Sequence, residues 1–306
     1  MLTRIIPFVF VVLWSTGFIF AKLAMPYAEP FTFLAIRFGL VCVLLLSASL
    51  LLQATWPSRR NAMHAVIAGV LVHAVYLGPV FWSIYVGMSA GVSALIVSTQ
   101  PILTALVAPV LLGERIERRH WLALVFGLIG VAMVLEPKLT EGSADVRLAT
   151  ILASLTGLAG ITFGSIYQKR YATGLDLRTA GTLQFLGATM ACFLVASLTE
   201  RWHVQWTGDL ILALVWSVLV LSIGAISLLM VMIRDGAIAK VATYFYLVPP
   251  TTAIMAWAVF GEQLMAVQLA GMGIACLAVL IAGLARPDVR PAKPVRIRTP
   301  LDTGLS

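Results

Sequence analysis

Charge is what this chain has least of. Only 11% of its 306 residues are Asp, Glu, Lys or Arg, against 60% hydrophobic ones; an ordinary soluble domain carries about 25% charged residues. All thirteen Asp and Glu fall in loops, at the ends of apolar runs or in the C-terminal tail. None lies in the middle of a run, where a cation pathway or a proton-coupled exporter of cationic drugs needs one. The three cysteines, Cys42, Cys192 and Cys276, stand singly in apolar runs. Their spacing suits neither a metal nor a disulfide, so apolar packing is the expected role of each. No nucleophile, acid or metal-ligand grouping occurs near a run end, which argues against a membrane-embedded enzyme. No metal and no cofactor are expected.

What is abundant is apolar sequence in long runs. About 20 such residues make a helix roughly 30 Å long, enough to cross a bilayer. Ten spans are predicted at 5–25, 31–53, 62–87, 89–112, 119–136, 147–170, 178–199, 208–234, 237–260 and 264–285. The first is too long for a signal-peptide core and no cleavage site follows it, so it is expected to remain as a span. From Arg286 onward a basic tail with four prolines has nothing to pack and is expected to be disordered.

The net charge of +8 is read by location rather than as a nucleic-acid footprint. Of the 21 Lys and Arg, sixteen fall on the side of the N-terminus, four (Lys22, Lys138, Arg147, Arg201) on the other, and Arg37 within a span. The positive-inside rule then places both termini in the cytoplasm.

The chain also repeats itself. A shift of 148 positions lays Pro101, Thr104, Gly113 and Glu114 on Pro249, Thr252, Gly261 and Glu262, Gly39 on Gly187, and Ala48-Ser49-Leu50 on Ala196-Ser197-Leu198. Such a period is settled before any other reading. Residues 1–140 and 141–285 are therefore read as two five-helix repeats, followed by a tail at 286–306. Five spans per repeat is an odd number, so the second repeat enters the membrane from the opposite side. Inverted repeats of this kind carry their substrate near the midplane, between the halves. The fold class is an all-α integral membrane protein, ten helices around a central cavity. The Gly-Glu clips read as structural, each Gly closing one helix and each Glu favouring the start of the next.

Candidate site residues are the polar and aromatic ones at depth. His73 and Arg37 are ionisable and inside spans, so both are expected to face protein or water. For His73 a hydrogen-bonded structural imidazole and a substrate or proton role both stay open. Arg37 is expected to pair with an outer-side carboxylate such as Glu29 or Glu262. Pro79, Pro101 and Pro249 mark helix breaks, expected to free the carbonyls of Val75, Val97 and Phe245. Irregular backbone in a membrane belongs beside a cavity. At the level of the breaks lie Trp14, Ser15, Tyr76, Thr99, Gln100, Phe163, Tyr167, Ser227 and Tyr244, the expected substrate-binding set. His73, Tyr76 and Val80 share one helical face, as do Phe163 and Tyr167.

Ten spans in an inverted five-plus-five duplication, with helix–Gly-Glu–helix units at Gly113-Glu114 and Gly261-Glu262, resemble the drug/metabolite transporter superfamily of EamA type. Within it the chain most resembles the YddG-type aromatic amino-acid exporters of bacterial inner membranes. The resemblance implies a cavity formed by spans one, three, four, six, eight and nine, and export from the cytoplasm by alternating access. It departs from the small four-span multidrug members, which carry a membrane Glu in span one where this chain has Trp14 and Ser15. The expected cargo is a neutral or aromatic amino acid or a related metabolite, handled by a monomer in the lipid bilayer without nucleic acid. Exchange of nucleotide sugars or phosphorylated sugars wants several deep Lys or Arg, and only Arg37 qualifies. A scaffold or lipid-handling protein with no small-molecule pathway is the alternative from another class.

Overall fold

The computed structural model describes residues 2–88, 93, 96–113, 118–141, 148–235, 238–260 and 265–284. The clip residues Glu114 and Gly261-Glu262, the loop positions Glu117 and Gln263, and the tail 286–306 lie outside the described residues.

Every extended element is helical; the described residues contain one isolated β-bridge, Ala28 to Val204, and no sheet. In chain order we label α1 Leu2–Ala24, α2 Pro30–Leu51, α3 Arg59–Tyr85, α4 Gln100–Leu112 and α5 Arg118–Glu141. The second half gives α6 Leu148–Tyr171, α7 Leu177–Thr199, α8 Gly208–Arg234, α9 (238–260) and α10 Ala266–Leu284. Five of these, α2, α3, α6, α7 and α8, are long and apolar enough to cross a membrane. Shorter apolar stretches lie in α1, α4, α5 and α10. The molecule is a multi-pass membrane protein.

Packing follows the sequence repeat. The tightest pairs are α5 with α10 and α2 with α7, each joining equivalent helices of the two halves. The others come in matched sets: α1 packs on α8 and α9, and α6 packs on α3 and α4. The irregular turns match as well. A π-helical turn at Val70–Val75 interrupts α3, and another at Ser217–Ala225 interrupts α8. The second lies where a 148-residue shift would carry the first. Pro79 follows the first turn and Ser227 holds the matching place after the second, so proline is not what the π turn requires.

Spans four and nine break beside Pro101 and Pro249, as expected from the sequence, but not by leaving the Phe245 carbonyl free. Each proline sits in the first turn of a helix that starts afresh, Gln100–Leu112 and Val248–Phe260, where a residue without an N–H loses no helical bond. The segment before Pro249 is a 3₁₀ turn, Tyr244–Leu247, and the Phe245 carbonyl accepts from the Val248 N–H instead of being left free. Gly113 does close α4, in the left-handed region at φ 70° with its N–H donating to the Pro109 carbonyl. Glycine meets that geometry without steric cost.

On the face opposite the chain's N-terminus the halves are clasped by carboxylates. Glu200, just after α7, accepts from the N–H groups of Phe31 and Thr32 (2.8 and 2.7 Å) at the start of α2. Glu29 accepts from Arg201 and His203 N–H groups (3.0 and 2.9 Å). At the other face Lys169 donates to the carbonyls of Ile233 and Arg234 (2.6 and 2.8 Å), and Arg170 to that of Leu111 (2.7 Å). Cations there meet the negative ends of α8 and α4, as helix dipoles favour.

Candidate functional site

A cavity lies between the halves. α1 contributes Trp14, Gly17 and Ala21, α2 contributes Arg37, and α8 contributes Leu221, Ser222 and Ile226. The longest wall is α3, with His73, Tyr76, Leu77, Val80, Phe81 and Ile84. About 590 Å³ of space, part of it open to solvent, lies among these side chains, on the scale of a small-ligand pocket.

The α3 wall owes its position to α6. Gly157, Gly160 and Gly164 form a small-residue stripe against the π turn: a methyl group on Gly160 would stand 2.9 Å from the Tyr76 nitrogen, and one on Gly157 2.9 Å from the Tyr76 oxygen. Small residues let membrane helices approach this closely. The π turn then inserts its extra residue between His73 and the helix that resumes at Tyr76, re-aiming both side chains.

Aromatic rings close the cavity toward the N-terminal end. Trp14 lies parallel to Tyr76 at 6.3 Å between centroids and edge-on to Phe245 at 5.4 Å. Phe10 backs both, at 5.1 Å from Trp14 and 5.4 Å from Phe245. Phe10 and Phe245 are fully buried. His73 is stacked on Phe185 at 4.4 Å and inclined to Phe38 at 5.7 Å. Gln184 lies beside it, but His73 Nε2 and the Gln184 amide atoms miss hydrogen-bond geometry and are left without a partner among the described residues.

Arg37 is the charge in this chamber, 5% exposed. Its Nε donates to Ser222 Oγ at 2.9 Å, and its guanidinium carbon stands 5.5 Å from the Phe38 ring centre. The expected pairing with Glu29 is not made, because that carboxylate is taken up by the 201–203 backbone. Among the described residues the guanidinium's other nitrogens have no hydrogen-bond acceptor and no carboxylate partner. A buried cation without a counter-charge is costly unless something supplies one.

Of the residues singled out from sequence, Trp14, Arg37, His73, Tyr76 and Val80 meet at this cavity. The rest lie elsewhere. Ser15 is buried and donates to the Val11 carbonyl (2.7 Å) and, across to α9, the Val248 carbonyl (3.3 Å). Thr99 donates to the Ile96 carbonyl within its own turn. Gln100 is buried with its Oε1 unpartnered, and does not line the chamber. Phe163 is 43% exposed and is not among the residues that line the cavity. Tyr167 hydrogen-bonds His64 Nδ1 at 2.7 Å and packs on Tyr171. Ser227 follows the lining residue Ile226 without lining the chamber itself, and Tyr244 packs edge-on to Phe8. Among the described residues, spans four and six give no wall, glycine-lined α6 seating flush on α3, and span nine contributes only Phe245 behind Trp14. Span two does give a wall, through Arg37. That residue was visible in the sequence as the one cation inside a span; Ser222 carried no such signal.

Known proteins agree with this architecture. Uncharacterized inner membrane transporter YedA of Escherichia coli K12 is 25% identical over 289 residues, covering 94% of this chain and 92% of its own. Uncharacterized transporter YvbV of Bacillus subtilis is 25% identical over 274 residues, covering 86% and 85%. A protein named Probable amino-acid metabolite efflux pump from Salmonella typhimurium is 23% identical over 273 residues, covering 85% and 88%. A solved crystal structure superposes with a TM-score of 0.75 at 19% identity, over 92% of this chain and 96% of that one, which speaks to the fold. The profile of the EamA-like transporter family matches twice, at residues 4–136 and 148–284. With both halves matched, the chain belongs to the EamA-like transporter family.

Proposed function

We propose that this transporter exports small metabolites, with aromatic and other neutral amino acids and their close relatives as the cargo class, by alternating access at the cavity between its halves. Ten crossings with both termini cytoplasmic, in a bacterial inner membrane, complete the reading. The observation that carries it is the chamber itself. It is bounded by α1, α2 and α3 of the first half and α8 of the second, at the level of both π turns. Aromatic rings floor it on one side, and the Glu29 and Glu200 clasp joins the halves on the other. A chamber between two related halves is where an alternating-access carrier holds its cargo, and matched irregular turns give each half a place to bend. The outward direction rests on the family resemblance and on the Salmonella relative, whose name describes amino-acid metabolite efflux. The test is efflux from proteoliposomes loaded with a panel of labelled amino acids, with and without a pH gradient. Rates above protein-free vesicles for part of the panel support the reading; rates equal to them across the whole panel would sink it.

A further inference from the structure

The chamber's charge balance says more about its ligand than its size does. Arg37 brings one positive charge into a space whose walls are otherwise apolar or aromatic, apart from Ser222, His73 and the Tyr76 hydroxyl. Among the described residues, no Asp, Glu, Asn or Gln lines it. Ser222 already accepts from Arg37 Nε, so it fixes the guanidinium plane and leaves the outer fork of N–H groups unclaimed. A carboxylate meets such a fork with two parallel charge-assisted hydrogen bonds. An ammonium in the same chamber would find only Ser222, the Tyr76 hydroxyl and the His73 ring as possible side-chain acceptors, with no carboxylate among the described lining, and would stand near an uncompensated cation. One guanidinium matches one negative charge, which disfavours phosphate esters and nucleotide sugars.

We propose that Arg37 is the anion anchor of the cavity, and that the cavity takes organic monocarboxylates with an apolar or aromatic body in preference to the corresponding zwitterionic amino acids. The carboxylate lies on Arg37, held in line by Ser222, and the body lies against Leu77, Val80 and Phe81 or beside the Trp14 and Tyr76 rings. This rests on the transporter reading above and narrows its cargo: the 2-hydroxy or 2-oxo relatives of amino acids fit better than the amino acids themselves.

The test uses three probes on one carbon skeleton: L-3-phenyllactate, L-phenylalanine and phenethylamine. The full chain, purified in detergent in Tris sulfate, is followed by thermal unfolding, because a ligand that binds the folded state raises the transition in proportion to its occupancy. Phenyllactate is expected to raise the midpoint at a concentration at least tenfold below that needed for phenylalanine, and phenethylamine not at all. Arg37→Gln should lose the phenyllactate response while folding as well as the wild type, since it removes an unpaired buried charge. Arg37→Lys keeps the charge without the fork and should need several-fold more phenyllactate. Equal shifts with phenyllactate and phenethylamine, an unchanged response in Arg37→Gln, or in Arg37→Lys should Arg37→Gln not fold, would overturn the anchor. So would a chloride titration that reproduces the phenyllactate shift, since the site would then hold any small anion. Flux of the same probes in proteoliposomes separates the two levels. Phenylalanine efflux that survives Arg37→Gln keeps the transporter and removes the anchor. Selective phenyllactate binding with no flux of any probe keeps the anchor and removes the transporter.

Discussion

Among single residues, the division runs between side chains that line the chamber and those that do not. Trp14 and Phe163 are both deep aromatic residues in apolar helices, and sequence alone treats them alike. The structure puts Trp14 on the cavity wall beside Tyr76, and leaves Phe163 43% exposed and outside the lining. Helical periodicity reveals which face of a soluble helix is buried because the other face is polar. In a bilayer both faces are apolar, so period gives depth without direction. Trp14→Ala and Tyr76→Ala are therefore expected to slow efflux of aromatic cargo at least fivefold more than that of small cargo, whereas Phe163→Ala should leave both rates near wild type. Initial rates for phenylalanine and alanine across the three variants check this, and a selective defect in Phe163→Ala would contradict the assignment of faces. Arg37 shows the converse. Its position inside a span was plain, but which group would face it depends on where Glu29 goes, and that carboxylate is claimed by a backbone far off in sequence.

Helices, turns and their seams carry the conformational content. The helices were legible from apolar length, and the duplication from scarce residues at a fixed shift, because Pro and Gly rarely match by chance in lipid-facing sequence. The π turns were not legible: Val70–Val75 reads as any apolar helical run, and an extra residue per turn leaves no compositional trace. The prolines were visible and both spans do break beside them, but the expected free Phe245 carbonyl is absent, since it accepts from the Val248 N–H. Placed in the first turn of a new helix, Pro101 and Pro249 begin elements rather than bend them. The seam between α6 and α3 is where a small change should matter most. Gly160→Leu would drive a side chain into the Tyr76 and Val75 backbone, 2.9 Å from where even a methyl group would stand. Overpacking of this sort costs about 1–3 kcal/mol. A lowered unfolding midpoint and a shifted α3 wall are expected, with efflux reduced at equal protein level. Gly273→Ala in α10 serves as the control, since nothing lies within 4 Å of the added carbon. Equal midpoints for the two variants would show that the seam is slack.

The whole molecule is best understood as two copies of one five-helix unit that share a chamber. The matched packing of α1 on α8 and α6 on α3, and the paired self-contacts α2 with α7 and α5 with α10, are those of a pseudo-twofold arrangement. Opposed orientation in the membrane is the part that charge distribution alone argues. Single cysteines introduced at Glu117 and Gln263 in a background lacking Cys42, Cys192 and Cys276 should label from opposite sides, the first from the cytoplasm and the second from outside. Labelling of both from one side would refute the inversion. The central claim, that cargo passes through the chamber between α1, α2, α3 and α8, has a more direct test. Gly17 faces that chamber, and a methyl group there would meet only the Leu221 side chain at 3.6 Å. Gly17→Leu keeps α1 a good helix, since leucine is the better helix former, and fills the space that cargo needs. The initial efflux rate of Gly17→Leu in proteoliposomes, at matched protein content and an unchanged unfolding midpoint, should fall to that of protein-free vesicles. Efflux at the wild-type rate by the same well-folded variant would mean that cargo travels by another route.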